Sequence, residues 1–225
     1  MALTFGSTAD SAVYGVKGLI YGGPGVGKTR LAATAPGPII ISAEAGTLSL
    51  RREAIPMITV ATPADLDQLY SWFLNAKEAR QFATIYFDSL SEVAEKVLLS
   101  SKNTVKDPRQ AYGAMQDAVI PMVKRYRDLP GYNVFFTAKL DRNKDEVSGM
   151  MINGPSMPGR QLGPQLPYLF DEVFRLAVAT HEGKQYSYLQ TRPDGQNDAK
   201  DRSGTLEAYE RPDLSYIINR ITGVA

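Results

Sequence analysis

Apolar positions along the chain fall into short blocks separated by turn-forming residues, and the blocks alternate between two periods. Val16 to Tyr21 is an apolar run that ends in glycines, the pattern of a buried strand. Helix signals follow over Lys28 to Thr34 and are stopped by Pro36-Gly37-Pro38. Ile39-Ile40-Ile41 predicts a second buried strand, and Ile58 to Ala61 a short third. Thr62-Pro63-Ala64-Asp65 predicts a helix start, with Thr62 as N-cap, Pro63 at the first helical position and Asp65 closing a capping box. Leu66, Leu69, Tyr70, Phe73 and Leu74 give that helix its apolar face, and Trp72 beside them reads as packing. Thr84 to Phe87 predicts another buried strand, ending at Asp88, before a helix over Ser91 to Leu99. The polar stretch Ser100 to Arg109 reads as a loop, and Ala111 to Leu129 as a helix that Pro121 should kink or divide. Tyr132 to Thr137 is a strand. Asp141 to Gln165, rich in glycine, proline and methionine, has no clear period and reads as a long functional or mobile loop whose Met150, Met151 and Met157 offer an adaptable contact surface. Val173 to Thr180 and Gln185 to Thr191 form a hairpin around a turn that carries a solvated His181, and Asp213 to Ile221 is a closing helix.

Strands alternating with helices predict an α/β protein with a mostly parallel central sheet flanked by helices and an antiparallel hairpin at one edge. No linker divides the chain, so residues 1–225 read as one domain, with 1–15 a short N-terminal segment and 140–165 a mobile loop. A net charge of +1 means that any nucleic-acid surface must be local, and 44% hydrophobic residues suffice for a buried core. The absence of cysteine removes disulfides, thiolate catalysis and cysteine-ligated zinc. Met1 to Val16 lacks a basic segment followed by an apolar run, and no stretch approaches the roughly 20 apolar residues that span a bilayer. A cytoplasmic protein with no membrane partner is therefore expected.

The chemistry concentrates in Gly22-Gly23-Pro24-Gly25-Val26-Gly27-Lys28-Thr29, a complete G-x-x-x-x-G-K-T motif between a predicted strand and a predicted helix. Glycines let the backbone amides converge on phosphates, and the following helix turns its positive end to the same charge. Lys28 would reach the β- and γ-phosphates of ATP, and Thr29 would ligate Mg²⁺. Asp88, ending an apolar strand, can hold the same cation opposite Thr29; alternatively, Asp88 or Ser89 caps the helix that follows. Glu44 follows the Ile39–Ile41 strand at the carboxyl end of the sheet, where ligands of open α/β folds sit. It reads either as the carboxylate that orients or deprotonates water, or as a solvated loop acid.

Together these pieces resemble the RecA-type ATPase core over roughly Val16 to Ile221. Ile41-Ser42-Ala43-Glu44-Ala45 is similar to the segment bearing that family's catalytic glutamate, and Phe87-Asp88-Ser89 to its Walker B strand end. More narrowly, Tyr21 to Thr29, Leu166 to Val173 and Ala199 to Gly204 resemble the small phage-encoded, AAA-type single-strand annealing and recombination ATPases of the Sak group. That resemblance implies a Mg-dependent ATPase that binds single-stranded DNA in an infected bacterial cell and assembles as a ring or filament. It also implies that Arg202, with Lys200 beside it, is an arginine finger acting on the neighbouring subunit's nucleotide. Two basic stretches correspond to the family's DNA-binding loops, one with Lys102, Lys106 and Arg109, the other with Arg142, Lys144 and Arg160. Asp107, Asp141, Asp145 and Glu146 dilute their charge, and the glutamine expected near Thr137 and Lys139 is missing. A second class stays open: a nucleotide-switched replication accessory or helicase loader that acts through a single-strand-binding or replication protein.

Overall fold

The computed structural model describes residues 15–44, 46–105, 107–144 and 149–224. Its centre is a sheet whose principal strands are β1 (Lys17–Gly22), β2 (Pro38–Ser42), β3 (Met57–Thr59), β4 (Thr84–Asp88), β5 (Asn133–Lys144), β7 (Glu172–His181) and β8 (Lys184–Gln190). Three short strands complete it, β6 (Met151–Ser156), β9 (Lys200–Asp201) and β10 (Tyr209–Glu210), and the helix α1 (Lys28–Leu31) follows the first loop. The strand order is β10-β8-β7-β1-β5-β4-β2-β3, with β6 on β5 and β9 on β7. From β7 across to β3 all neighbours run parallel, whereas β8, β10, β6 and β9 are antiparallel additions. The expected mostly parallel sheet with an antiparallel hairpin at one side is what forms.

The two faces are covered differently. Leu19, Ile41, Phe87 and Phe136 belong to a core shared with buried side chains of α2 (Pro63–Asn75), α3 (Leu90–Lys102), α4 (Pro108–Arg127) and α5 (Leu162–Leu169). Ile20, Ile40, Phe135 and Phe174 face the opposite core, closed by Leu31 of α1 and by Leu214, Ile217 and Ile218 of α6 (Leu214–Thr222). Being buried on both faces is why β1, β2 and β4 read as unbroken apolar runs. The α2 cap is as expected: Thr62 Oγ1 accepts from the Asp65 N–H at 3.3 Å, and Asp65 Oδ2 accepts from the Thr62 N–H at 2.8 Å. Phe73 is buried, with Trp72 in edge contact at 5.1 Å.

Three expectations give way. Asp141–Gln165 is no structureless loop, because β5 continues to Lys144, β6 returns antiparallel to it, and α5 begins at Leu162. Its composition hid this: Gly154 occupies a strand position where a Cβ would come 2.8 Å from Asp198 Oδ2, so glycine there serves close approach rather than a turn. Met157 is core, 6% exposed, whereas Met150 and Met151 are surface residues. The Ser100–Arg109 loop shrinks as well, since α3 runs to Lys102 and α4 starts at Pro108. Finally, α4 passes Pro121 without a break. Pro121 and the residue four before it, Asp117, both lie on the exposed side, where water takes the carbonyl that proline cannot serve.

Candidate functional site

The site forms where β1, β2 and β4 end together, beside Thr137 and Lys139 of β5. Gly22 has no room for a side chain, since a Cβ would stand 2.5 Å from the Leu176 carbonyl oxygen of β7. The chain leaves β1 there and curls through Gly25 and Gly27, whose φ values of 74° and 105° lie in the left-handed region that glycine tolerates. Val26 turns away from the loop mouth and packs against the α1–α6 core. Lys28 folds back over the loop, its Nζ donating to the carbonyls of Gly22 and Gly23 at 2.8 Å each. Burial lowers its proton affinity, partly opposed by Asp88 and Glu44. The expected helix over Lys28 to Thr34 is α-helical only to Leu31 and then tightens to a 3₁₀ turn. The helix dipole therefore contributes less here than a full helix would. Tyr86, fully buried on β4, donates its hydroxyl to the Lys28 carbonyl at 2.6 Å and pins this first turn to the sheet.

Asp88 is 4% exposed, and both of its oxygens are engaged. Thr29 Oγ1 donates to Oδ2 at 2.6 Å and Thr137 Oγ1 donates to Oδ1 at 2.8 Å. Ser89 caps α3, its Oγ accepting from the Glu92 N–H at 3.4 Å, so the capping alternative falls to Ser89 and Asp88 is left facing Thr29. The Asp88–Ser89 peptide is cis. The Asp88 carbonyl accepts from the Ala43 N–H at 3.1 Å, which ties the β4 end to the turn that carries Glu44, and Ser42 Oγ donates to the Glu44 carbonyl. Glu44 itself is exposed, with its proton affinity raised by desolvation and then by Glu92 and Asp88. The P-loop, Lys28, Thr29, Glu44, Asp88 and Lys139 line one cavity of about 610 Å³, within the range usual for small-molecule sites.

Residues 14–203 match the AAA domain family, with this loop and both strand-end acids inside the match. The chain belongs to the AAA-domain family. An AAA domain is a P-loop ATPase module, so nucleotide binding and hydrolysis are the chemistry of this family. No curated protein matches this AAA domain. Among solved structures it is similar to a KaiC-like protein from the hyperthermophilic archaeon Pyrococcus horikoshii, at 14% identity over 82% of each chain and a TM-score of 0.43.

The other predicted site residues lie elsewhere on the AAA domain. Lys200 and Asp201 pair with the start of β7, level with Gly18 of β1. At about 3.3 Å per residue, Arg202 is therefore some 16 Å down the sheet from the P-loop, at its opposite end. Arg202 Nη1 donates to Asp171 Oδ1 at 2.6 Å, and Lys200 Nζ donates to the Pro167 carbonyl at 2.7 Å. Neither is available to the nucleotide site of its own chain. Lys102 ends α3 with its ammonium 5.7 Å from the Tyr112 ring, and Arg109 is exposed on the first turn of α4; Lys106 lies outside the described residues. Arg142 and Lys144 are exposed on β5, while Arg160 sits apart from them in the turn before α5. Asp145 and Glu146 fall outside the described residues. His181, expected in the turn, is instead the exposed last residue of β7, 3.8 Å from Glu182. Sequence reasoning noted Thr137 and Lys139 only as the strand end where the family's glutamine is missing, and gave Tyr86 no role. A polar residue ending an otherwise apolar strand was the available signal for the first two. Among the described residues, no helix is long and apolar enough to cross a membrane.

Proposed function

We propose that this AAA domain binds Mg·ATP on Gly22–Thr29, hydrolyses it, and uses the cycle to bind single-stranded DNA in phage recombination or annealing. The observation that carries the nucleotide half is the Thr29–Asp88 contact of 2.6 Å beside Lys28, in a cavity that Glu44 also faces. The side chains fit a magnesium nucleotide: one hydroxyl and one carboxylate for the cation and a lysine for the phosphates, beside Gly25 and Gly27, where a Cβ would meet nothing within 4 Å. Among the described residues, no cluster of three or more acids or histidines gathers to hold a metal unaided. That suits a cation shared between Thr29, Asp88 and the phosphates. Bound there, the ion would neutralise charge on the β- and γ-phosphate oxygens. Lys28 would exchange its two loop carbonyls for phosphate oxygens, and Glu44, with its raised proton affinity, is suited to accept a proton from water.

The DNA half rests on exposed cations beyond the site: Arg142 and Lys144 on the β5–β6 hairpin, and Lys102 and Arg109 where α3 meets α4. Arg202 and Lys200 fit a role in trans, because they stand at the far end of the sheet from their own P-loop, and such a role requires a homo-oligomer. A protein-directed switch is the second reading. It is favoured by Leu48, 81% exposed next to Ser49 at the rim of the nucleotide cavity.

ATP turnover measured with and without single-stranded DNA, across a salt series, tests both halves. Stimulation that fades steeply with salt supports phosphate contacts. Turnover indifferent to DNA at low salt moves the reading to the protein-directed switch. Glu44→Gln is expected to keep nucleotide affinity and lose at least about 100-fold in turnover, the usual worth of a general base. Wild-type turnover in that variant would remove Glu44 from the chemistry.

A further inference from the structure

A second cavity, of about 520 Å³, opens at the end of the sheet away from the P-loop. Val16 before β1, Asp171 and Glu172 at the start of β7, Arg202 after β9, and Ile221 and Thr222 ending α6 are among its walls. Glu172 is 2% exposed; one oxygen accepts from the Ser203 N–H at 3.2 Å, and Oε2 meets no donor among the described residues. The cations nearby are engaged elsewhere. Lys17 Nζ donates to the carbonyls of Leu129 and Tyr132 at 2.9 and 2.6 Å, Lys200 Nζ to the Pro167 carbonyl at 2.7 Å, and Arg202 to Asp171. Asp201 of β9 adds a second negative charge beside Glu172 and spends its own oxygens on Ser203, Gly204 and Leu206. A buried carboxylate oxygen without a donor is costly, and a cation that reaches it relieves that cost.

We propose that this cavity binds an aliphatic polyamine, one ammonium serving Glu172 Oε2 and another reaching Asp171. Nucleotide binding at the P-loop is not required for it. Helix α6 ends at the cavity, and the carboxyl end of a helix favours positive charge. Val16 and Ile221 offer hydrocarbon to the methylene stem between the ammonium groups. A bare metal ion fits less well: the space far exceeds one ion, and among the described residues no cluster of three or more acids or histidines gathers. Asp171 and Arg202 have side chains 45% and 63% exposed, and so exposed a pair is weak enough to admit a second cation. Burial, and then Asp201, raise Glu172 to about 8, so the empty site holds a proton at neutral pH. The incoming ammonium displaces that proton to solvent, while an alkylammonium keeps its own charge to about pH 10. Affinity therefore rises with pH up to about 8.

The test is equilibrium dialysis of the full chain against radiolabelled spermidine at pH 6, 7 and 8 and constant ionic strength. One equivalent is expected to bind, with a Kd that falls up to about tenfold per pH unit as the displaced proton becomes easier to lose. Glu172→Gln should weaken binding at pH 8 by about tenfold or more, as loss of a charge-assisted bond would, and remove the pH dependence. Thr222→Phe keeps the acid but narrows the cavity, and should weaken binding as well. Mg²⁺ at matched ionic strength should not displace the amine. Wild type that takes up no stoichiometric spermidine at pH 8 would overturn the assignment. So would an unchanged Kd in whichever of the two variants keeps a wild-type urea midpoint, or displacement by Mg²⁺, which marks diffuse attraction to an acidic surface.

Discussion

Replacing Thr137 by valine tests whether the geometry of Asp88 is built or incidental. Thr137 is fully buried, and its hydroxyl donates to Asp88 Oδ1 at 2.8 Å, while the other oxygen of that carboxylate takes the Thr29 hydroxyl. Valine has nearly the same shape, so no cavity opens, and what changes is one donor to a buried carboxylate. A hydrogen bond to a charged group contributes about 1.5–3 kcal/mol, and leaving a buried acceptor unserved costs about as much as the bond was worth. The expected loss is about 2 kcal/mol, roughly 30-fold in the folding equilibrium. Urea unfolding should show a lower midpoint with an unchanged slope, since the surface exposed on unfolding is the same. Thr137→Ser, which keeps the hydroxyl, should recover most of the loss. Thr137→Val should also weaken Mg·ATP binding, because Asp88 is then free to turn from Thr29. A Thr137→Val protein as stable as wild type, with undiminished nucleotide affinity, would refute the idea that β5 orients this acid.

Two further outcomes follow from the far end of the sheet. Glu172, 2% exposed, accepts from the Ser203 N–H at 3.2 Å with one oxygen, while the other, Oε2, meets no donor among the described residues. Burial, and then the Asp201 carboxylate, push it up to about 8 from an ordinary 4.5. The folded chain then holds a proton that the unfolded chain has released, so stability should be greatest below about pH 4.5 for this group and decline as pH rises to about 8. Urea melts at pH 5, 6.5 and 8 should show that slope, and Glu172→Gln should flatten it; an identical slope in the variant would place its origin elsewhere. For Arg202, mixing Lys28→Ala with Arg202→Ala chains should restore ATP turnover that neither has alone. No recovery in a confirmed mixed assembly would count against a trans role.

What the sequence disclosed follows the range of the interaction concerned. The P-loop was legible because its signal is local: glycine spacing, a lysine and a threonine between an apolar run and a helix start. Asp88 and Glu44 were legible because a parallel sheet presents ligands at its strand ends. The bonds of Thr137 to Asp88 and of Tyr86 to the Lys28 carbonyl were not, because each depends on register across the sheet. Phe87 is opposite Phe136, and that pairing brings Thr137, the residue after Phe136, to the carboxylate of Asp88, the residue after Phe87. The β5–β6 hairpin was missed for a related reason. Its Gly154 and Pro155 look like turn residues until Leu140 and Asp141 are known to lie opposite them. The boundary of α1 was overrun because helix propensity over Lys28 to Thr34 says nothing of the tightening that seats Ala32 in the core.

β1 is held by parallel neighbours on both sides and by apolar cores above and below. Amide hydrogens there should be among the slowest in the molecule to exchange, and the glycine turn that leaves this strand is anchored to the segment that opens only when everything opens. A nucleotide gripped by that turn would not merely quiet a loop; its binding energy would add to the stability of the whole chain.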